Sequence, residues 1–155
     1  MRVADLAECY DKHAEALLRF AASQVGWSDA EDVLSAAVLG VLGAADRPGR
    51  APVDDLRAYL YRAVANTAAN HWRSLDRRSR RERAFATPEA IEAVEANPDV
   101  VNALAGLSPQ QRAVVHLTYW EDLTPAVVAE RLGVSDGTVR RQLARARARL
   151  KEALS

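Results

Sequence analysis

The chain reads as an all-α protein of two small helical domains joined by a linker, and three observations predict this. Its 49% hydrophobic fraction is rich in Ala and Leu, the strongest helix formers, with few aromatics or threonines to support strands. Apolar residues recur at spacings of three and four within separate segments. Between them, residues 84–99 carry acids and two prolines without a sustained apolar stripe, as an interdomain linker does. The 155 residues therefore divide into a unit over 1–83, a linker over 84–99 and a unit over 100–155.

From Val3 to about Gln24, Leu6, Tyr10, Ala14, Leu17 and Ala21 form one stripe of an amphipathic helix that ends near Gly26. A second helix follows at once. Ser28-Asp29-Ala30-Glu31 reads as its capping box, and Val33, Leu34, Ala37, Val38, Val41 and Leu42 make a broad face that needs covering. The segment Asp46 to Pro52, with Pro48, Gly49 and Pro52, cannot continue a helix and reads as an exposed loop.

Asp54 is expected to cap a third, long helix running towards Arg83. Leu56, Leu60, Ala63, Val64 and Thr67 form its inner side. Arg62, Asn66, Asn70, Arg73 and Arg77 line up as one polar stripe without an acid among them. An ordinary solvent face mixes Glu with Lys, so this stripe reads as a nucleic-acid contact.

The second unit opens near Val100, and Ser108-Pro109-Gln110-Gln111 supplies an N-cap, a first-turn proline and a capping-box glutamine for a helix to Trp120 that buries Val114, Val115 and Leu117. Thr124-Pro125 opens a short helix to Leu132, Gly133 ends it, Val134 points inward and Ser135 caps a helix from Asp136 to Leu154. That is a helix-turn-helix. With Val139, Leu143, Leu150 and Leu154 assigned to its core side, the last helix turns Thr138, Arg141, Gln142, Arg145 and Arg149 outward. Arginine pairs with guanine edges or phosphates, glutamine reads adenine, and the helix N-terminus at Ser135 favours a phosphate, so this surface predicts DNA binding.

The net charge of zero conceals segregation. Acids prevail in residues 1–35, whereas Arg73 to Arg83 and Arg140, Arg141, Arg145, Arg147, Arg149 and Lys151 form basic runs. The chain thus offers opposite charges to different partners. Cys9 is the sole cysteine, so no intrachain disulfide or thiolate zinc cluster can form. Neither a signal peptide nor a membrane-length apolar run is present, which predicts a cytoplasmic protein without membrane insertion. His13, His71 and His116 are far apart, and no glycine-rich phosphate loop occurs. The expectation is no catalytic residues, no metal and no cofactor.

Leu107 to Arg112, Ala129 to Ser135, Gly137 to Arg140 and Arg145-Ala146-Arg147 together resemble region 4 of the extracytoplasmic-function (ECF) sigma factors of bacterial RNA polymerase. Asp29 to Val33 followed by Leu56 to Thr67 is similar to their region 2. The resemblance implies binding to core RNA polymerase and promoter-specific initiation of transcription, with an anti-sigma factor as a further partner. It places polymerase docking on Asp29, Glu31, Asp32 and Ser35. Minus-ten reading falls to Arg62, Asn66, Asn70, Arg73 and Arg77, with Trp72 either stacking on a base or packed in the core. Minus-35 reading falls to Ser135, Thr138, Arg140, Arg141, Gln142, Arg145 and Arg149. The second helix departs from the family pattern in Leu34 to Val38 and Gly40 to Gly43; its plain outer face suits an anti-sigma protein or self-association. A helix-turn-helix regulator that does not engage polymerase is the alternative, and the stripe on the third helix counts against it.

Overall fold

A computed structural model of the chain describes residues 2–45, 55–75 and 98–155. Among the described residues, seven α-helices run in order: α1 (Val3–Val25), α2 (Trp27–Ala45), α3 (Leu56–Leu75), α4 (Pro98–Ala105), α5 (Pro109–Val115), α6 (Pro125–Leu132) and α7 (Asp136–Leu154). A π-helical turn, His116–Trp120, continues α5. The described residues hold no strand, as the apolar spacing predicts.

Helices α1, α2 and α3 pack pairwise into a three-helix unit. One residue joins α1 to α2: Gly26, at φ 87°, lies where a side chain would clash, and its N–H returns to the Ala22 carbonyl to close α1. Because α2 begins at Trp27, Ser28 lies inside its first turn, and the expected capping box does not mark the helix start. The buried side chains of α2 are Ala30, Val33, Leu34, Ala37 and Val41, with Val38 and Leu42 partly covered. Asp55 Oδ1 accepts from the Ala58 N–H at 3.0 Å at the start of α3. Residues 46–54 and 76–97 lie outside the described residues, and with them the expected loop, Asp54, Arg77 and nearly all of the linker.

Helix α4 spans Pro98–Ala105. Ser108 and Gln111 form the complete capping box: Ser108 Oγ accepts from the Gln111 N–H at 3.2 Å, and Gln111 Oε1 accepts from the Ser108 N–H at 3.0 Å. Val114, Val115 and Leu117 are buried as expected. Leu154, expected on the core side of α7, is exposed, since the helix outruns the elements it packs on.

The two units share one hydrophobic core, which the sequence did not predict. Phe20 of α1 is fully buried between the Tyr61 ring, 5.2 Å away, and the His116 ring, 5.5 Å away. Burying a phenylalanine this way stabilises the fold by roughly 2–3 kcal/mol. Tyr61 of α3 donates its hydroxyl to Glu121 Oε1 at 2.7 Å, and the Arg131 guanidinium of α6 lies 5.0 Å from its ring centroid. Gln24 is also fully buried; in the amide orientation that gives both ends partners, its Nε2 donates to the Pro109 carbonyl at 3.0 Å and its Oε1 accepts from the Ala113 N–H at 3.2 Å.

Candidate nucleic-acid interface

The helix-turn-helix is built from capped pieces. Thr124 Oγ1 accepts from the Val127 N–H and Pro125 occupies the first turn of α6. Gly133, at φ 68°, ends α6 in the left-handed conformation, and both its N–H and that of Val134 reach the Ala129 carbonyl. Ser135 Oγ then accepts from the Thr138 N–H at 3.1 Å and starts α7. Val128, Ala129, Val139, Leu143 and Ala146 are buried between the two helices and α5, fixing their crossing.

That core side sends two basic edges of α7 outward. The first carries Thr138, Arg141, Gln142, Arg145 and Arg149. Arg141 donates to Thr138 Oγ1 at 3.2 Å, and Gln111 organises the rest: its Nε2 donates to Gln142 Oε1 at 3.4 Å, and Arg149 donates to its Oε1 at 3.2 Å. Arg145 is exposed at the centre of this edge. On the second edge are Arg140, Arg147 and Lys151; Arg147 donates to the Tyr119 hydroxyl at 2.7 Å and covers its ring. The exposed Tyr119 and Trp120 beside it are displayed by the π-helical turn, and no periodicity in the sequence marked them.

On α3, Asn66, Asn70 and Arg73 are exposed along one line, and Arg73 hydrogen-bonds Asn70. Arg62 is half-buried, its guanidinium 5.9 Å from the Tyr59 ring centroid. Beside this line a groove of about 330 Å³ runs between α2 and α3, floored by Ala37, Gly40 and Val41 and rimmed by Tyr59, Arg62 and Asn66. Its small-residue floor and polar rim give room and donors for a flat polar group. Trp72 is not on this surface. It is packed in the core at 8% exposure, its Nε1–H donates to the Gln24 carbonyl at 2.6 Å, and Arg112 lies 4.6 Å from its ring centroid. The core alternative for Trp72 is the one realised, because the end of α1 needs its donor.

The acidic start of α2 is divided. Asp29 Oδ2 lies 3.1 Å from His71 Nε2 and ties α2 to α3, whereas Glu31, Asp32 and Ser35 are exposed. Next to them Ala36, Leu39, Gly40 and Gly43 form the plain outer face seen in the sequence. A Cβ at Gly40 or Gly43 would meet nothing within 4 Å, so the helix itself does not require glycine there.

Buried titratable groups lie between the units instead. Burial holds His116 down to about 4, with the Arg19 charge adding to it. Burial raises the Glu121 carboxyl above its ordinary range, against the opposing hydrogen bond from Tyr61, and the same burial and the Glu121 bond raise Tyr61. Tyr61 lies on the apolar stripe of α3 with Val64, Ala68 and Trp72, and the inner side read from the sequence passed it over, whereas Glu121 belongs to no stripe and spacing could not have found it. Among the described residues no group of three His, Cys, Asp or Glu side chains is placed to hold a metal ion, and no helix is long and apolar enough to cross a membrane.

Known proteins share this layout. The family model for sigma-70 region 2 matches residues 9–78 and that for sigma-70 region 4 matches residues 99–150. The RNA polymerase sigma-E factor of Streptomyces coelicolor is 35% identical over 134 residues, covering 81% of this chain and 72% of its own. The ECF RNA polymerase sigma factor SigL of Mycobacterium tuberculosis is 31% identical over 150 residues, covering 86% of this chain and 80% of its own. In fold, the chain is similar to the sigma factor RpoE of Bartonella quintana, solved with the anti-sigma factor NepR, with a TM-score of 0.61, 24% identity and 98% of each chain covered.

Proposed function

Since the chain belongs to the ECF branch of the sigma-70 family, we propose that promoter reading is divided between its two basic helices, with α7 on the minus-35 element and α3 on the minus-ten element. The chain is a sigma factor: it binds core RNA polymerase and directs promoter-specific initiation. Within that role, Thr138, Arg141, Gln142 and Arg145 read base edges in the major groove, and Ser135, Arg140 and Arg149 meet phosphates. Arg62, Asn66, Asn70, Arg73 and Arg77 hold the opened minus-ten strand, with the α2–α3 groove taking an unstacked base. Glu31, Asp32 and Ser35 dock on polymerase, and Asp29 positions α2 against α3 for that contact.

The observation that carries this reading is the braced outer edge of α7, where Gln111 fixes Gln142 and Arg149 around an exposed Arg145. The hydrogen bonds that hold Gln142 and Arg149 leave less side-chain entropy to lose when this edge meets DNA, and Arg145 stands free to contact it. The work of the chain is recognition, so no catalytic step is assigned to any residue. It acts in the cytoplasm, where polymerase is, and an anti-sigma factor is its regulatory partner. Residues 1–83 form the polymerase and minus-ten unit and 100–155 the minus-35 unit, with 84–99 between them. The test is run-off transcription with core RNA polymerase on fragments of the source genome. The parent gives starts sharing one upstream pair of elements; Arg145→Ala loses discrimination at the minus-35 element, and Asn66→Ala with Asn70→Ala lowers strand opening without weakening the closed complex. Variants that match the parent would overturn the division of labour.

A further inference from the structure

We propose that the cavity between the end of α3, the α4–α5 turn and the last turns of α7 is a binding site for a small aromatic anion, a planar ring carrying one carboxylate or phosphate. Its volume is about 350 Å³, and Trp72, Leu107, Ser108, Pro109, Arg112 and Arg149 form its wall. That is room for a small organic ligand, since pockets of this kind begin at roughly 300 Å³.

The cavity is shaped before anything enters it. Arg112 is 5% exposed, and its Nη1 donates to the Ala105 carbonyl at 3.2 Å and to the Leu107 carbonyl at 2.8 Å. Its guanidinium lies 4.6 Å from the Trp72 ring centroid, and Trp72 is itself fixed by the bond from Nε1–H to the Gln24 carbonyl. Two buried, tethered side chains thus give the wall a charge and an aromatic surface that lose little freedom when a ligand arrives. Gly106 lines the same cavity and has no positive φ. A Cβ there would meet only the Ala103 carbonyl oxygen at 3.4 Å and that of Asn102 at 3.8 Å, so the fold does not demand glycine at this position.

Charge selects an anion. Two guanidiniums line the cavity and, among the described residues, no acid does. Glu152 belongs to a neighbouring cavity that shares Gly106 and Arg149. Arg149 is exposed and donates to Gln111 Oε1 at 3.2 Å, so it can turn onto an anionic group and grip it with two parallel N–H donors. Ser108 Oγ accepts from the Gln111 N–H at 3.2 Å and keeps its own proton to donate. Leu107, Pro109 and the Trp72 ring supply apolar surface for the planar body. Arg149 also meets a minus-35 phosphate in the function proposed above. A ligand that captures it takes that contact from the DNA and loosens the brace on Gln111, a consequence that rests on the division of reading between α3 and α7.

The probe is anilinonaphthalene sulfonate, an aromatic anion, titrated into the full chain and read by its fluorescence. Arg149→Glu and Gly106→Leu should each weaken its binding on the order of tenfold, with the helical circular dichroism unchanged. Naphthoate or naphthyl phosphate should displace it, and the tighter of the two identifies the anion. Naphthalenemethanol, with the same ring and no charge, should not. In holoenzyme footprinting, the tighter anion should raise the chain concentration needed to protect the minus-35 element in the parent and leave it unchanged in Gly106→Leu. Equal probe affinity in the parent and both variants, or displacement by the uncharged compound as readily as by the anions, would overturn the site. Binding that both variants weaken, with no change in the footprint, would leave the site standing and remove Arg149 from the minus-35 contact.

Discussion

Arg62 and Gly133 meet where the third helix crosses the turn of the helix-turn-helix, the arginine Cδ occupying the space in which a side chain at position 133 would begin. Gly133 is thus required twice, by its φ of 68° and by its neighbour. Gly133→Ala should cost about 1 kcal/mol for the left-handed backbone and about 1 kcal/mol more for displacing Arg62. On an Arg62→Ala background only the backbone part remains, so the two substitutions should couple by about 1 kcal/mol in a double-mutant cycle from urea unfolding. Strict additivity would mean that the two residues do not touch in solution.

Gln111 closes the capping box of α5 and steadies Gln142 and Arg149 on α7. Ser108→Ala removes the cap alone and should lower stability by about 1 kcal/mol. Gln111→Ala removes cap and brace together and should cost about 1–2 kcal/mol. The two differ in function: only Gln111→Ala should also weaken holoenzyme binding to the minus-35 element, measured by footprinting, because it alone frees the reading edge.

Trp72 answers a need at the end of α1. The last four carbonyls of a helix lack partners within it, and the indole N–H satisfies that of Gln24 at 2.6 Å. Trp72→Phe should therefore cost about 1–2 kcal/mol in urea unfolding, from an unpaired buried carbonyl and lost contact with Arg112. A promoter role in addition would appear as an initiation defect larger than the stability loss explains.

What the sequence revealed and what it hid follow from the range of the forces involved. Capping boxes and turn glycines act over three or four residues, so Ser108 with Gln111, Thr124, Gly133 and Ser135 could be read one after another. Each is where the local pattern puts it. Ser28 misled because a single glycine turns α1 into α2, leaving no room for a separate cap. Periodicity finds the apolar face of one helix but not which helix covers it. The pairing of Tyr61 with Glu121 spans 60 positions, and Arg131 and His116 are buried by it without any local sign. The outward residues of α7 were legible because they are what remains once its core side is assigned. The braces that hold them come from Gln111, whose capping pattern gave no hint of a second task.

His116 sets how the folded chain responds to acid. Its ring is buried against Phe20 and stacked on Trp120 at 6.0 Å, and burial holds its pKa down to about 4 from an ordinary 6.5. Glu121 Oε2, 3.8 Å from Nε2, is too distant for a hydrogen bond that would favour the charged ring. Between about pH 6.5 and pH 4 the unfolded chain therefore binds a proton that the folded chain refuses, and stability falls as pH falls through that window. The full difference amounts to about 3 kcal/mol. Glu121 works in the opposite sense: its carboxyl is raised, so the folded chain takes up that proton first and offsets part of the loss. Urea unfolding should show a net loss of about 2 kcal/mol between pH 7 and pH 4.5. His116→Phe, which keeps a ring in the stack but cannot be protonated, should flatten that dependence or reverse it slightly as Glu121 acts alone. An equal slope in parent and variant would assign the acid response to other groups.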